Sequence, residues 1–184
     1  MNTIRIAVPL AEGFEEIEAV SIIDVLRRAD FDVTVFSISP EKEVTGSHSI
    51  KIIADQLFNE VDFSKIDMLV LPGGLPGANN LNEHAGLRNI ILDFNKSEKA
   101  LGAICAAPLV FGNLGILNNK NATCYPGFEN QLKGATATSN EVELADKIIT
   151  GKGAGVAIKF ALKIVENFKG KQFADELAIK MIVE

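Results

Sequence analysis

The chain alternates between short apolar runs and longer amphipathic ones. Residues 4–10, "IRIAVPL", are apolar on both faces and end near Gly13, as a strand buried inside a parallel sheet does. The next stretch, "EEIEAVSIIDVLRRAD", places Ile17, Val20, Ile23, Val25 and Leu26 at roughly helical spacing. Acids crowd its start and arginines its end, as the helix dipole favours. Residues 31–39 predict a second strand and residues 49–54 a short third one, antiparallel or at an edge. "DMLVLPGG" (67–74) reads as a fully apolar strand running into a glycine turn, followed by a helix over 79–95. "ALGAIC" is the next strand and "APLVFGNLGIL" the next helix, with Pro108 where a first-turn proline is tolerated. Residues 121–126 predict another strand, 135–150 a group of short strands, and 155–168 and 171–183 two closing helices.

Strands alternating with helices imply βαβ units and a mostly parallel sheet covered on both faces. With no linker, repeat or low-complexity run, the expectation is one doubly wound α/β domain over residues 1–184. Ligands bind such sheets at the carboxyl ends of the strands. Attention therefore falls on the residues just after the strands at 4–10, 67–74 and 100–105.

Composition narrows the class. A chain of 184 residues with 47% apolar content reads as globular and soluble. A formal net charge of −6 and no basic stripe argue against a nucleic-acid partner. No stretch approaches the ~20 apolar residues needed to cross a bilayer, so no membrane partner is expected. The start, "MNTIRIAVPLAEGFEE", lacks the apolar core and cleavage site of a signal peptide. Two cysteines without a paired framework point to a reducing cytoplasm.

Chemistry gathers at three strand ends. Cys105 lies in Ala103-Ile104-Cys105-Ala106-Ala107, small residues flanking a nucleophile type as a sharp strand-to-helix elbow requires. A helix N-terminus there would favour thiolate and lower its pKa. From the pattern alone, a buried inert cysteine is the competing reading. "LPGGLPGA" (71–78) is a glycine turn, and with no Lys-Ser/Thr after it, not a phosphate cradle. If the turns are adjacent, the Gly74 and Ala106 amides could face an oxygen developing charge beside Cys105. In "AEGFEEIEAV", Glu15 and Glu16 read as a solvated first turn. Glu18, one turn in, could point back over the strand ends, be protonated by burial and like charge, and donate to sulfur. His48 and His84 lack metal-ligand spacing, so no metal is expected, and His84 reads as solvent-facing. "GKGAGVA" reads as a strand-to-helix turn near the site rather than a dinucleotide turn, and no cofactor is expected. Cys124 and Tyr125 are neighbours on a strand and point to opposite faces.

The segments "AEGFEEIEAV", "DVLRRA", "LVLPGGLPGANNL", "GAICAAP" and "TGKGAGVAIKFALKIVE" come in an order and spacing that resemble the ThiJ/PfpI superfamily, in its Parkinsonism-associated deglycase branch. The resemblance implies a flavodoxin-like sandwich of the class I glutamine amidotransferase type and a homodimer. It implies that Cys105 is the reactive cysteine, Glu18 its protonated partner, and Gly74 and Ala106 the backbone donors. The activities it implies are a glutathione-independent glyoxalase converting methylglyoxal to lactate, a deglycase acting on glycated substrates, and a redox-sensing stress protein or chaperone. Where many members carry a histidine near the cysteine, this chain has Tyr125, which can donate a hydrogen bond but is a poor general base, or simply packs beside the cleft. Protease-type members carry histidine directly after the nucleophile; Ala106 and Ala107 stand here, so peptidase activity is not implied. Arg28 and His48 match positions that could touch an anionic substrate near the interface.

Overall fold

The computed structural model describes residues 3–183. Along the chain run β1 (Arg5–Leu10), α1 (Glu16–Arg28), β2 (Asp32–Ser37), β3 (Glu43–Thr45), β4 (Lys51–Ile53), β5 (Gln56–Leu57), β6 (Met68–Leu71), α2 (Gly77–Glu83) and α3 (Ala85–Lys96). There follow β7 (Ala100–Ile104), α4 (Pro108–Asn113), β8 (Asn121–Ala122), β9 (Thr136–Ala137), β10 (Val142–Ala145), β11 (Ile148–Gly151), α5 (Ala157–Lys169) and α6 (Lys171–Lys180). Seven strands form the central sheet in the order β10-β11-β7-β6-β1-β2-β5, parallel except for the β10 edge. This is the expected doubly wound, flavodoxin-like sandwich.

The pleat sorts the core onto two faces. On β6, Met68 and Val70 join Ile6, Val8 and Ile104 under the apolar faces of α1 and α5, where Ile22, Val25, Phe160 and Ile164 are buried. Leu69 and Leu71 point the other way, toward Leu87, Ile91, Phe94, Val110 and Phe111. Strands buried on both sides have no polar face to show, which is why these runs read as continuously apolar.

Several element boundaries differ from the expectation, each for a local reason. The helix predicted over 79–95 is two helices, because His84 adopts an extended ψ of 100° and its Nδ1 accepts from the Leu87 N–H at 3.0 Å, capping α3. His84 therefore does not simply face solvent; its ring also packs edge-on against Phe58 at 4.6 Å. The strand predicted at 121–126 shrinks to β8, which pairs with β9 outside the central sheet. The place beside β7 is taken by β11. Residues 49–54 do supply an antiparallel strand, β4, paired with β3 in a hairpin. The helix predicted over 107–117 ends at Asn113, and the last one at Lys180. In α1 the buried stripe is Ala19, Ile22, Val25 and Leu26, whereas Ile17 and Val20 are 59% and 49% exposed. The helix thus carries apolar residues on two faces, and among the described residues nothing fully covers the one with Ile17 and Val20.

Candidate active site

Sheet order places β7, β6 and β1 side by side, so the three strand ends singled out from the sequence meet. Cys105 follows β7 with φ of +63°, in the left-handed region that non-glycine residues rarely occupy. Holding it there costs about 1–3 kcal/mol, so the surroundings must enforce it. They do so through the backbone. The Cys105 N–H donates to Gly151 O at 2.9 Å, and the Tyr125 N–H donates to Cys105 O at 2.8 Å. Small residues at 103, 106 and 107 are all buried at the bend, so larger side chains have no room. The inert reading of the cysteine does not explain this strain, and the thiol is only partly buried.

Glu18 comes from the first turn of α1 and is fully buried. Its Oε2 accepts from the Gly73 N–H at 2.8 Å, while Oε1 has no hydrogen-bond partner apart from what the neighbouring thiol can offer. Burial pushes its pKa up to about 7, against the hydrogen bonds of Cys105 and Gly73 and with help from the charge of Glu15. Burial, and then the Glu18 charge and hydrogen bond, push Cys105 up to about 12; the Ala106 and Gly74 N–H groups act in the opposite direction. Loss of water around the sulfur thus works against the lowered thiol pKa expected from the elbow. The six-residue α4 exerts a weaker pull than the loss of water around the sulfur.

Two groups this close titrate as a pair, and the Glu18 charge that raises Cys105 makes the pair resist losing its second proton. Over the wide range between the two steps they hold one proton between them. The sulfur is faced by two backbone donors, the carboxyl by one, and a buried oxygen of an ionised carboxylate would go unsatisfied. The arrangement favours the proton on Glu18, donated toward a thiolate.

The glycine turn is shaped by this pair. A Cβ at Gly73 would sit 2.7 Å from both Cys105 Cβ and Glu18 Oε2. At Gly74, with φ of +90°, a Cβ would sit 2.3 Å from Glu15 N. Both positions must stay bare for the turn to approach α1 and the elbow.

Other candidates fall differently. Tyr125 is half exposed; its ring lies against Gly153 and edge-on to Phe128 at 6.3 Å, and its N–H donates to Cys105 O. Cys124 is buried in the core on the other face of the sheet from Cys105, and burial raises its thiol to about 11. Both cysteines are free. Arg28 pairs with Asp24 at 2.6 Å, ten residues beyond Glu18 on α1, about 15 Å along the helix and away from the site.

The sequence reading missed Glu16. It is buried rather than solvated, and its carboxylate accepts from the His48 N–H at 2.6 Å, His48 Nδ1 at 2.8 Å, Ser47 Oγ at 3.2 Å and the Ile50 N–H at 3.4 Å. Burial alone would raise its pKa, yet the His48 hydrogen bonds and that of Ile50 hold it at about 2. The same pairing raises the pKa of His48. His48, which lacks metal-ligand spacing in the sequence, has Glu15 and Glu16 ligand atoms grouped with its own within 4.8 Å. Glu16 has already spent both oxygens on hydrogen bonds, and we read the group as an ion pair that ties the β3–β4 hairpin to α1. A signal existed: Glu16 and Glu18 sit one turn before Ala19 and Ile22 on the buried stripe.

Comparison with known proteins gives the family. The DJ-1/PfpI family profile matches residues 4–167. Protein DJ-1 homolog B of Arabidopsis thaliana is 39% identical over 184 residues, covering 99% of this chain; the chain spans 42% of that relative's length. The glutathione-independent glyoxalase DJR-1.2 of Caenorhabditis elegans is 32% identical, covering 90% of this chain and 89% of its own. The oxidised DJ-1 of Toxoplasma gondii superposes with a TM-score of 0.94 at 35% identity, covering 98% of this chain and 99% of its own. From fold, elbow and sequence together, this chain belongs to the DJ-1/PfpI family.

Proposed function

We propose that this chain, folded as one domain over residues 1–184, is a cysteine-dependent enzyme acting on small reactive carbonyls, in the manner of a glutathione-independent glyoxalase or deglycase. The observation that carries the reading is the strained Cys105 thiol packed against the buried, half-satisfied carboxyl of Glu18. The thiolate adds to the aldehyde carbon of methylglyoxal, and Glu18 gives its proton to the new alkoxide, making a hemithioacetal. The Glu18 carboxylate then removes the hydrogen on that carbon, and the electron pair passes to the neighbouring ketone as an enediol. Protonation of the former ketone carbon leaves a lactate thioester. Water cleaves its C–S bond, lactate departs and the thiolate returns. One carbon is oxidised as its neighbour is reduced, so no outside redox partner enters. The Gly74 and Ala106 N–H groups, which face the sulfur, are the donors available to an oxygen on the attacked carbon. Tyr125 can donate a hydrogen bond. A relative that is itself a glutathione-independent glyoxalase supports the reading.

A homodimer belongs to the same proposal. Ile17 and Val20 of α1 and Ile50 and Ile53 of the β4 region are 49–74% exposed. Val20, Ile52 and Ile53 line one shallow groove of about 220 Å³. A second copy presenting the same face would cover them. Among the described residues no helix is long and apolar enough to cross a membrane, and a net charge of −6 disfavours a nucleic-acid partner.

A second reading, a redox-sensing stress protein, draws on the same donors. Sulfinate oxygens on Cys105 would meet the Gly74 and Ala106 N–H groups and the Glu18 proton. Lactate formation from methylglyoxal separates the two. Wild type is expected to form it, and Cys105→Ala and Glu18→Leu to lose it. Equal rates in Cys105→Ala would end the enzymatic reading, and peroxide oxidation of Cys105 without lactate would leave the sensor.

A further inference from the structure

The start of α1 departs from ordinary capping in a way that bears on the Glu18 proton. Helix N-caps favour Ser, Thr, Asp and Asn; here the N-cap is Glu15, whose Oε2 accepts from the Glu18 N–H at 2.7 Å. In a capping box, the third helical residue returns its side chain to the N-cap N–H. Glu18 is that residue, and it does not return. Gly73 takes both halves of the missing exchange. The Glu15 N–H donates to Gly73 O at 2.9 Å, and the Gly73 N–H donates to Glu18 Oε2 at 2.8 Å. The box is thus opened out over the glycine turn, freeing the Glu18 carboxyl to reach the thiol.

A helix N-terminus presents partial positive charge, which by itself draws a nearby carboxyl toward ionisation. A serine or threonine cap would leave that field acting on Glu18. A carboxylate cap bonded to the Glu18 N–H meets the field with its own charge and sets a like charge beside Glu18. We propose that Glu15 is a positioning residue whose negative charge, set at the cap, keeps the catalytic proton on Glu18 and so keeps Cys105 a thiolate. The proposal deepens the carbonyl-enzyme reading and rests on it for the word catalytic.

The groups facing Glu18 are few. They are the Cys105 thiol from the β7 elbow, the Gly73 N–H from the β6 turn and Glu15 from its own helix. Packed along α1, α5 buries Ala157, Phe160, Ala161, Ile164 and Val165, while Lys159 and Lys163 on α5 pair with Glu141 and Glu166. Glu16 is bound to His48, and a ring nitrogen of His48 also lies within 4.8 Å of a Glu15 carboxylate oxygen, so His48 is the titratable group that faces Glu15 from the β3–β4 hairpin. Of the charged groups, Glu15 is the one whose charge acts to hold the Glu18 proton.

The test compares Glu15→Gln with Glu15→Asp by the pH dependence of Cys105 alkylation with iodoacetamide, alongside thermal midpoints. Glutamine keeps the capping oxygen and removes the charge; aspartate keeps both. Glu15→Gln is expected to alkylate about three- to tenfold more slowly than wild type near neutrality, the proton having moved to sulfur. Glu15→Asp is expected to restore the wild-type profile. If Glu15→Gln follows the wild-type profile, or if both variants slow equally, Glu15 is only a cap and the proposal is overturned. Alkylation needs no carbonyl turnover. A wild type that makes no lactate but shows the Glu15→Gln shift would refute the enzymatic reading and keep this one.

Discussion

Gly73→Ala puts the tightest geometry of the site under test. The added Cβ would lie 2.7 Å from Cys105 Cβ, 2.7 Å from Glu18 Oε2 and 2.8 Å from Ile104 O. Ordinary carbon contacts lie at about 3.5–4.0 Å, so each neighbour must give by nearly an ångström. The Ile104 carbonyl belongs to the central strand β7 and cannot move. The yield must come from Cys105 and Glu18, the two groups whose approach the chemistry needs. Overpacking of this kind costs about 1–3 kcal/mol, and at ~3 °C per kcal/mol for a chain this size the melting midpoint should fall by roughly 3–9 °C. The larger effect should be chemical. A misplacement of about 1 Å between reacting groups costs on the order of a hundredfold in rate. Lactate formation from methylglyoxal and Cys105 alkylation, both measured well below the melting midpoint, read that effect apart from stability. Gly155→Ala is the control, since a Cβ there meets nothing within 4 Å. If Gly73→Ala keeps both rates within twofold of wild type, the thiol and carboxyl are not held as described.

Two further outcomes follow from groups away from the sulfur. Burial lowers the pKa of His84 below its ordinary 6.5, and its neutral Nδ1 caps α3; the unfolded chain binds the extra proton first, so this contribution is present above about pH 6.5 and is lost as the pH falls below it. His84→Asn, which caps without titrating, should therefore gain on wild type in denaturant midpoint from about pH 7 down to about pH 5, and a constant difference would refute the assignment. On the exposed α1–β4 face, Ile53→Lys should shift the sedimentation equilibrium toward monomer without changing far-ultraviolet dichroism; an unchanged association state would show that a second copy does not cover this face.

Much of this was legible in the chain because burial on both faces leaves an unmistakable run. Strands β1, β6 and β7 stood out for that reason, the elbow at Cys105 through its small neighbours, and Glu18 through its place one turn into the helix after β1. What periodicity cannot show is which strand occupies a place in the sheet. Residues 121–126 and 148–151 lie in regions that both read as strands, yet Ile148–Gly151 pairs with β7 while Asn121–Ala122 pairs with β9 outside the central sheet. Nor can periodicity reveal a contact that returns from afar: Glu16 is buried only because the hairpin brings His48 back from thirty-two residues away. His84 reads as one more helical residue until its ring is seen to cap the next helix. The thiol environment was the largest departure, since a strand-to-helix bend announces a helix N-terminus but not how much water the bend excludes.

The account stands on where one proton sits when Cys105 and Glu18 hold it together. Thiolate ultraviolet absorbance, recorded from acid to strongly alkaline pH as wild type minus Cys105→Ala, locates it directly. Burial raises the pKa of both groups, so the pair loses its two protons in separate steps. The expected result is that thiolate appears at the lower step and persists, with the upper step belonging to the carboxyl. Thiolate that appears only at the upper step would mean that Glu18 gives up its proton first and that the sulfur stays protonated near neutral pH.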